Sequence, residues 1–197
     1  MDLDQRARRS DRTKAAILAA ARERFAADGY AKATIRAIAT QAGIDPSMVM
    51  RYYGSKEKLL AAAAEFELEL PDLTSIPPES WGDVLAHHLI QRWERNDTLI
   101  ALLRVATTQD FAAARMRTLF AGQVAPLVAR IEPDPATATT RAGLLATQML
   151  GLALTRYVLE LPPVVSMTAD EVARWLAPVL QHYLTGKPSM VAADPGR

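Results

Sequence analysis

Residues 34–58 read TIRAIATQAGIDPSMVMRYYGSKEK, and this stretch decides the fold. Thr34 has the side chain of a helix cap, and Ile35, Ile38 and Ala39 recur at helical spacing as far as about Gln41. Ala42-Gly43-Ile44 predicts a tight turn, in which Gly43 supplies a backbone conformation that side chains resist. Asp45 caps the next helix, and Pro46 takes its first position, where a missing N–H does no harm. That helix runs to about Tyr52, and Gly54 breaks it. Ile38, Ile44, Val49 and Tyr52 are spaced to pack the two helices together, while small Ala39 lets them approach closely. The grammar is that of a helix-turn-helix; an ordinary helical hairpin is the alternative. The second helix then exposes Ser47, Met48, Met50 and Arg51, and such a helix fits the major groove of B-DNA.

Upstream, residues 12–28 place Ile17, Leu18, Ala21 and Phe25 on one helical face, and Gly29 ends that helix. Downstream, Ser55 caps a fourth helix expected to reach about Leu70. Basic residues bracket the motif: Arg6, Arg8, Arg9 and Arg12 before it, Lys56 and Lys58 after it. The first 60 residues carry 12 Lys and Arg against 7 Asp and Glu, whereas the other 137 carry 11 against 15. A basic head on an acidic body suits a head that meets a polyanion.

The rest of the 197-residue chain also reads as helix, with half its residues hydrophobic and no alternating strand pattern. Pro71 to Ser80 is a connector. Helices are expected at about 81–94, 97–107, 136–161 and 168–185, the last opened by a Thr168–Glu171 capping box and kinked at Pro178. Residues 109–131 form one helix disturbed by Gly122 and Pro126, or two short ones. Pro162-Pro163 ends the long helix, and 186–197 reads as a frayed tail. The absence of cysteine excludes disulfides and thiol chemistry. His87 and His88 point about 100° apart on a helix and cannot readily share a metal. Glu65, Glu67 and Glu69 read as solvated positions near a helix end. Without HExxH, GxSxG or a glycine-rich phosphate loop, an enzyme has no motif here, and neither metal nor cofactor is expected. The apolar run from Ala142 to Thr155 is too short to span a membrane, and the N-terminus lacks an apolar leader, so a cytoplasmic location is expected.

The segment ATIRAIATQAGIDPSMVMRYYGSKEKLL resembles the DNA-binding signature of the TetR (tetracycline repressor-like) transcription regulators, and ILAAARERFAADGYAKATI is similar to that family's opening. The close resemblance covers about residues 12–60; GLALTRYVLELPP and LAPVLQHYLTGKP resemble typical end segments. It implies an all-α homodimer with a three-helix helix-turn-helix head followed by a larger ligand-binding and dimerisation body. The corresponding division is an arm and DNA-binding domain over 1–54, a connecting helix over 55–70, the body over 71–185 and a flexible tail over 186–197. It further implies a palindromic double-stranded DNA operator, usually repressed, and release by a small-molecule effector. Carried over by position, Thr34 and Arg36 touch phosphates or groove edges, Ser47, Met48 and Arg51 face the bases, Tyr52 touches backbone, Tyr53 packs the head, and Lys56 meets a phosphate. Met50 departs from the family's frequent tyrosine and offers an apolar contact instead.

In the body, Trp81, Trp93, Phe111, Met116, Phe120, Met149 and Tyr157 either line an apolar pocket or form plain core. Arg104, Gln109, Gln148 and Arg156 are polar groups that orient a ligand or pair between helices. The effector would be apolar or aromatic; a constitutive DNA-binding regulator without effector is the alternative. The fourth helix carries both Lys56 and Leu59, Leu60 and Phe66, so it joins head to body. The long helix carries Thr139, Gly143, Thr147, Gly151 and Thr155 at four-residue spacing, a smooth stripe that lets a second helix approach. Leu145, Met149 and Leu152 face the core instead. The last helix offers Val172, Leu176, Val179, Leu180 and Tyr183, and the resemblance implies that these two helices pair with their copies. The alternative is a stripe that packs inside one subunit.

Overall fold

A computed structural model describes residues 3–64 and 67–187, all helix, turn and loop; no strand occurs among them. Eleven α-helices follow in order among the described residues: α1 (Leu3–Lys32), α2 (Ile35–Ala42), α3 (Pro46–Tyr53), α4 (Lys56–Ala63), α5 (Trp81–Glu94), α6 (Asp97–Ala106), α7 (Asp110–Leu119), α8 (Ala125–Ala129), α9 (Pro135–Ala153), α10 (Pro162–Val165) and α11 (Ala169–Thr185). None of the described helices is long and apolar enough to cross a membrane.

The head is built by local rules. Thr34 accepts the Ala37 N–H, Asp45 the Ser47 N–H and Ser55 the Lys58 N–H, so three successive helices start on the caps expected for them. Gly43 takes φ +66°, and the Ile44 N–H reaches back to the Ala39 carbonyl at 2.9 Å, closing α2 tightly enough for α3 to turn across it. Ile17, Ala21 and Phe25 of α1, Ile38 and Ala39 of α2, Val49 of α3, and Leu59 and Leu60 of α4 are fully buried in one core. Burying each large side chain stabilises the fold by roughly 1.5–3 kcal/mol. Helix α1 begins earlier than expected, so Arg8, Arg9 and Arg12 stand exposed on helix and not on an irregular arm. Gly29, at φ +70°, interrupts it as expected.

Helix α4 does not reach Leu70. It ends at Ala63, and residues 67–70 are not helical. Nothing local breaks it before Pro71. Instead Arg22 of α1 donates to the Ala63 carbonyl at 2.9 Å, and Arg115 of α7 donates to the Ala64 carbonyl at 3.3 Å. These guanidinium groups satisfy carbonyls that another helical turn would have used. Beyond them the Leu68 N–H is held at 2.6 Å by Gln123 Oε1, which fixes a non-helical path. Phe66 and Glu65 lie outside the described residues, as do Arg6's side chain and residues 188–197.

The most extensive helix pair of the body is α5 with α11. Helix α11 lies along α5, and Gly82 permits the contact: a Cβ there would sit 2.3 Å from the Ala177 carbonyl oxygen. Gln181 seals the junction, accepting the Gly82 N–H at 2.8 Å and donating to the Pro78 carbonyl at 2.9 Å. Between α7 and α8 the chain stays helical but widens into a π-turn over Phe120–Val124, separated by Ala125 from Pro126, whose ring nitrogen has no hydrogen to donate. The stretch is therefore one helical run with a local widening. Helix α9 starts on Asp134, which accepts the Thr137 N–H, and ends in a second π-turn over Leu154–Val158. Pro162 and Pro163 open the short α10 as well as following α9. Both halves of the Thr168–Glu171 capping box are formed. Pro178 sits within α11 on its exposed side.

Candidate functional site

The residues expected to meet DNA come from the first turns of α2, from α3 and from the start of α4. Thr34, Arg36, Ser47 and Arg51 are exposed, and so is Met50 at 43 %; Met48, Tyr52 and Lys56 are half-buried. Val49, between Met48 and Met50, is fully buried and anchors α3 so that its neighbours point outward. Two of these side chains have local duties. Thr34 caps α2, and the Ser47 hydroxyl donates to Asp45 Oδ1 at 2.5 Å. That bond, with the Ser47 N–H, holds the Asp45 carboxyl below its ordinary range. Tyr52 lies under the Lys14 ammonium, and the Tyr53 hydroxyl donates to the Lys14 carbonyl at 3.1 Å.

Lys56 is not an outstretched lysine. Its ammonium sits 4.5 Å from the centre of the Tyr30 ring and donates to the Ala31 carbonyl at 3.3 Å. Partial burial lowers its pKa, although Glu57 opposes this. The start of α4 therefore lies beside the chain that leads into α2, close to Thr34. Tyr30 is the hinge-pin of this corner, and sequence reasoning did not single it out. Its hydroxyl donates to Glu57 Oε1 at 2.7 Å, and its ring packs on Phe111 of α7 with centroids 5.5 Å apart. Burial and then the Glu57 carboxylate push the Tyr30 hydroxyl up to about 12.

Four of the seven apolar and aromatic body residues expected around a pocket do line one, and none of the four polar ones does. Trp93, Met116, Phe120 and Met149 meet Leu68, Leu89, Leu99, Leu119, Val124, Ala146 and Leu150 around a cavity of about 50 Å³. Arg92 is the single charged residue among the described residues of its wall. Trp81 instead donates its indole N–H to the Leu73 and Ile76 carbonyls, tying down the connector. Phe111 belongs to the Tyr30 contact. Tyr157 stacks on Trp93 at 6.4 Å behind the cavity wall. Arg104 donates to the Tyr157 carbonyl, Arg156 to the Val164 and Met167 carbonyls, and Gln148 to the Tyr183 hydroxyl, so all three are clamps between helices. Gln109 flanks α7 as its N-terminal neighbour. The histidines diverge: His87 faces the Asp83 carbonyl, and His88 Nε2 lies 2.8 Å from the Leu68 carbonyl. Glu67 and Glu69 are not on a helix; both engage Arg92. Arg92 was overlooked, yet a signal existed: it falls three residues after buried Leu89, on the flank of the apolar face of α5.

On α9 the small-residue stripe is open. A Cβ at Gly143 or Gly151 would meet nothing within 4 Å, and Thr147 and Gly151 are exposed. The Thr139, Thr147 and Thr155 hydroxyls donate back to carbonyls one turn earlier, which leaves their methyl groups for packing. The partner surface proposed for α11 needs correction. Val172, at 4 % exposure, and Leu176 and Leu180 are buried inside the subunit, where α11 meets α5. The outward face of α11 carries Trp175, 78 % exposed, with Pro178, Val179 and His182. Tyr183 is half-buried and lines, with Leu144 and His182, an open groove between α9 and α11.

Comparison with known proteins adds two sequence profiles. Residues 17–63 match bacterial regulatory proteins of the tetR family, and residues 79–184 match the tetracyclin repressor-like C-terminal domain. Among solved structures, a TetR-family regulator from Streptomyces coelicolor A3 is 30% identical, with a TM-score of 0.54 over 88% of this chain and 95% of that one. A putative TetR-family regulator from Rhodococcus sp. is 15% identical, with a TM-score of 0.66 over 89% of this chain and 100% of the other. A TetR regulator from Rhodococcus sp. RHA1 is 16% identical, with a TM-score of 0.63 over 95% and 100%. A search of curated protein sequences found no match.

Proposed function

Because the chain belongs to the TetR family of transcriptional regulators, we propose that it is a ligand-responsive repressor that binds a palindromic operator as a homodimer. The observation that carries the DNA reading is α3: Val49 is fully buried while Met50 and Arg51 stand exposed on either side of the outer face. In this reading Arg51 and Met50 reach base edges, Met50 against a thymine methyl group, and Arg36, Thr34, Ser47 and Tyr52 position the head on the backbone. Lys56 leaves the Tyr30 ring or brings it along to a phosphate. The division into a DNA-binding head over 1–54, a connector and a body over 71–185 follows the same reading. Pairing through the open stripe of α9 and the Trp175–Val179 face of α11 is supported by their exposure. A solvent-facing tryptophan on one helix and exposed glycine on the other leave apolar surface that a second copy would cover.

The test is operator binding against salt. If a dimer neutralises roughly eight phosphates, log K falls with log salt at a slope of about −7. Arg51→Ala relaxes preference at one base pair per half-site by about 1–3 kcal/mol, whereas Lys56→Ala weakens all sequences alike. Gly151→Leu stays helical, sediments as a monomer and loses tight operator binding, because one head engages only a half-site. Binding that ignores salt, or a Gly151→Leu variant that remains a normal dimer, overturns the respective part.

A constitutive regulator is favoured by one observation: the cavity of about 50 Å³ holds only a few waters as it stands. If no small apolar or aromatic molecule raises the melting temperature, the constitutive alternative stands.

A further inference from the structure

We propose that the effector of this chain is a monocarboxylate with an apolar tail, its carboxylate bound by Arg92 and its tail taken into the body cavity; this rests on the effector reading above. The cavity wall is apolar apart from Arg92, whose side chain is only 19% exposed. A guanidinium at an apolar wall needs partners for its donors. Nη1 donates to Glu69 Oε2 at 3.2 Å and Nη2 to the Glu67 carbonyl, but Nε is shielded from solvent and has no hydrogen-bond partner among the described residues.

The chain itself displays the chemistry that the site accepts. Leu68, 7% exposed, lines the cavity, and the residues on either side of it bring a carbonyl oxygen and a carboxylate to Arg92. An apolar group in the cavity joined to a carboxylate on the guanidinium is the outline of an apolar monocarboxylate. This internal occupant is imperfect. It leaves Nε unmatched, and it holds Glu69 at φ +52°, a region that side chains disfavour. The Glu69 carboxylate also remains 68% exposed, so its ion pair is screened and weak. A free carboxylate engages the guanidinium fork in two parallel hydrogen bonds without that backbone distortion. Its tail gains the space now filled by Leu68. Met116 and Met149 in the wall adapt readily to different shapes, and the π-turn over Phe120–Val124 forms one side. A cationic ligand would be repelled by Arg92, and a neutral one leaves its donors as they are. Displacing Glu67–Glu69 acts on the chain that follows α4, so binding is felt where the DNA head joins the body.

The probes are hexanoate and octanoate against 1-hexanol and 1-octanol, all below their aggregation limits, with the full chain, by titration calorimetry and thermal shift. Wild-type protein is expected to bind each carboxylate about ten- to a hundredfold more tightly than the alcohol of equal length. Arg92→Met should abolish that preference while keeping alcohol binding. Glu69→Gln, which removes the internal competitor, should tighten octanoate binding severalfold; it carries the test if Arg92→Met does not fold. Alcohols that bind wild type as tightly as carboxylates, or a Glu69→Gln variant with unchanged octanoate affinity, overturn the assignment of Arg92 and leave the effector cavity standing. If neither series binds, both fall.

Discussion

The head and the body hold their helix ends in different ways. In the head, every end from α2 to α4 except the last is set by residues within four positions: the Thr34, Asp45 and Ser55 caps, and Gly43 and Gly54 at positive φ. At the end of α4 and in the body, several ends are held by arginines from outside the helix they close. Arg22 and Arg115 close α4; in the body Arg156 closes α10, Arg104 holds the π-turn after α9, and Arg141 donates to the Tyr183 and Gly186 carbonyls at the end of α11. A guanidinium at a C-terminal carbonyl also complements the helix dipole. Local caps form and survive whatever the rest of the chain does. Long-range clamps exist only while their two elements stay in register. For the ligand-responsive repressor proposed above, these two kinds of end would suit a head that keeps its shape on DNA and a body that changes shape around an effector.

The largest effect that sharpens this comparison comes from the tertiary contact between α5 and α11. Gly82→Ala places a methyl group against the Ala177 carbonyl and the Gln181 backbone, neither of which can yield without shifting a helix. It is expected to cost about 3 kcal/mol, seen as a melting temperature lower by roughly 6–12 °C. Gly122→Ala, outside the proposed seam, is the matched control. Nothing lies within 4 Å of its Cβ, so the subunit fold should hold or gain up to about 1 kcal/mol in helix propensity. Equal losses at both positions would mean that close approach at Gly82 does not set the body's packing.

Next comes Arg156→Met. It removes donors to the Val164 carbonyl at 2.6 Å and the Met167 carbonyl at 2.9 Å, together with the ion pair to Glu94. A loss of about 2–3 kcal/mol is expected in urea unfolding. Hydrogen exchange should accelerate over residues 159–168 and stay unchanged in α2 and α3. Faster exchange in the head would show that the two regions are not separately secured.

Cap removal in the head ranks third. Thr34→Ala and Asp45→Ala should each cost about 1 kcal/mol, with faster exchange confined to α2 or α3 and the body unaffected. These caps are also why the head was legible in the sequence: Thr34, Asp45-Pro46, Gly43 and Gly54 act on neighbours, and neighbours are what a sequence displays. The end of α4 was not legible, because Arg22 and Arg115 stand 41 and 51 positions from the carbonyls they bind. The outward face of α11 was misassigned for a related reason. Its apolar residues occupy two faces, and only the position of α5 decides that Val172, Leu176 and Leu180 go inside. Within the candidate site, the exposed residues of α3 followed from helical spacing, whereas the pairing of Arg92 with residues 67–69 depends on α4 having ended.

The smallest expected effect lies at the corner where the two regions touch. Tyr30 packs on Phe111 of the body and donates to Glu57 of α4. That hydrogen bond, with Glu57's own N–H and the Ser55 hydroxyl, draws the Glu57 carboxyl down to about 2, while burial and the same bond push Tyr30 up to about 12. The signs differ at the two edges. Glu57 is more acidic folded than unfolded, so its contribution is present above its ordinary value of 4.5 and is lost as pH falls from there towards 2. Tyr30 holds its proton more tightly when folded, so its contribution is present below 10 and is lost as pH rises from 10 towards 12. Both edges should be shallow, because Glu57 is exposed and water screens it. Tyr30→Phe keeps the ring on Phe111 and deletes the donor. The stability difference between wild type and this variant, measured by urea unfolding at a series of pH values, should be constant between pH 5 and 9 and shrink outside both limits. A difference that is the same at pH 3 as at pH 7 would assign the corner to ring packing alone, with the Tyr30–Glu57 hydrogen bond adding nothing to its stability.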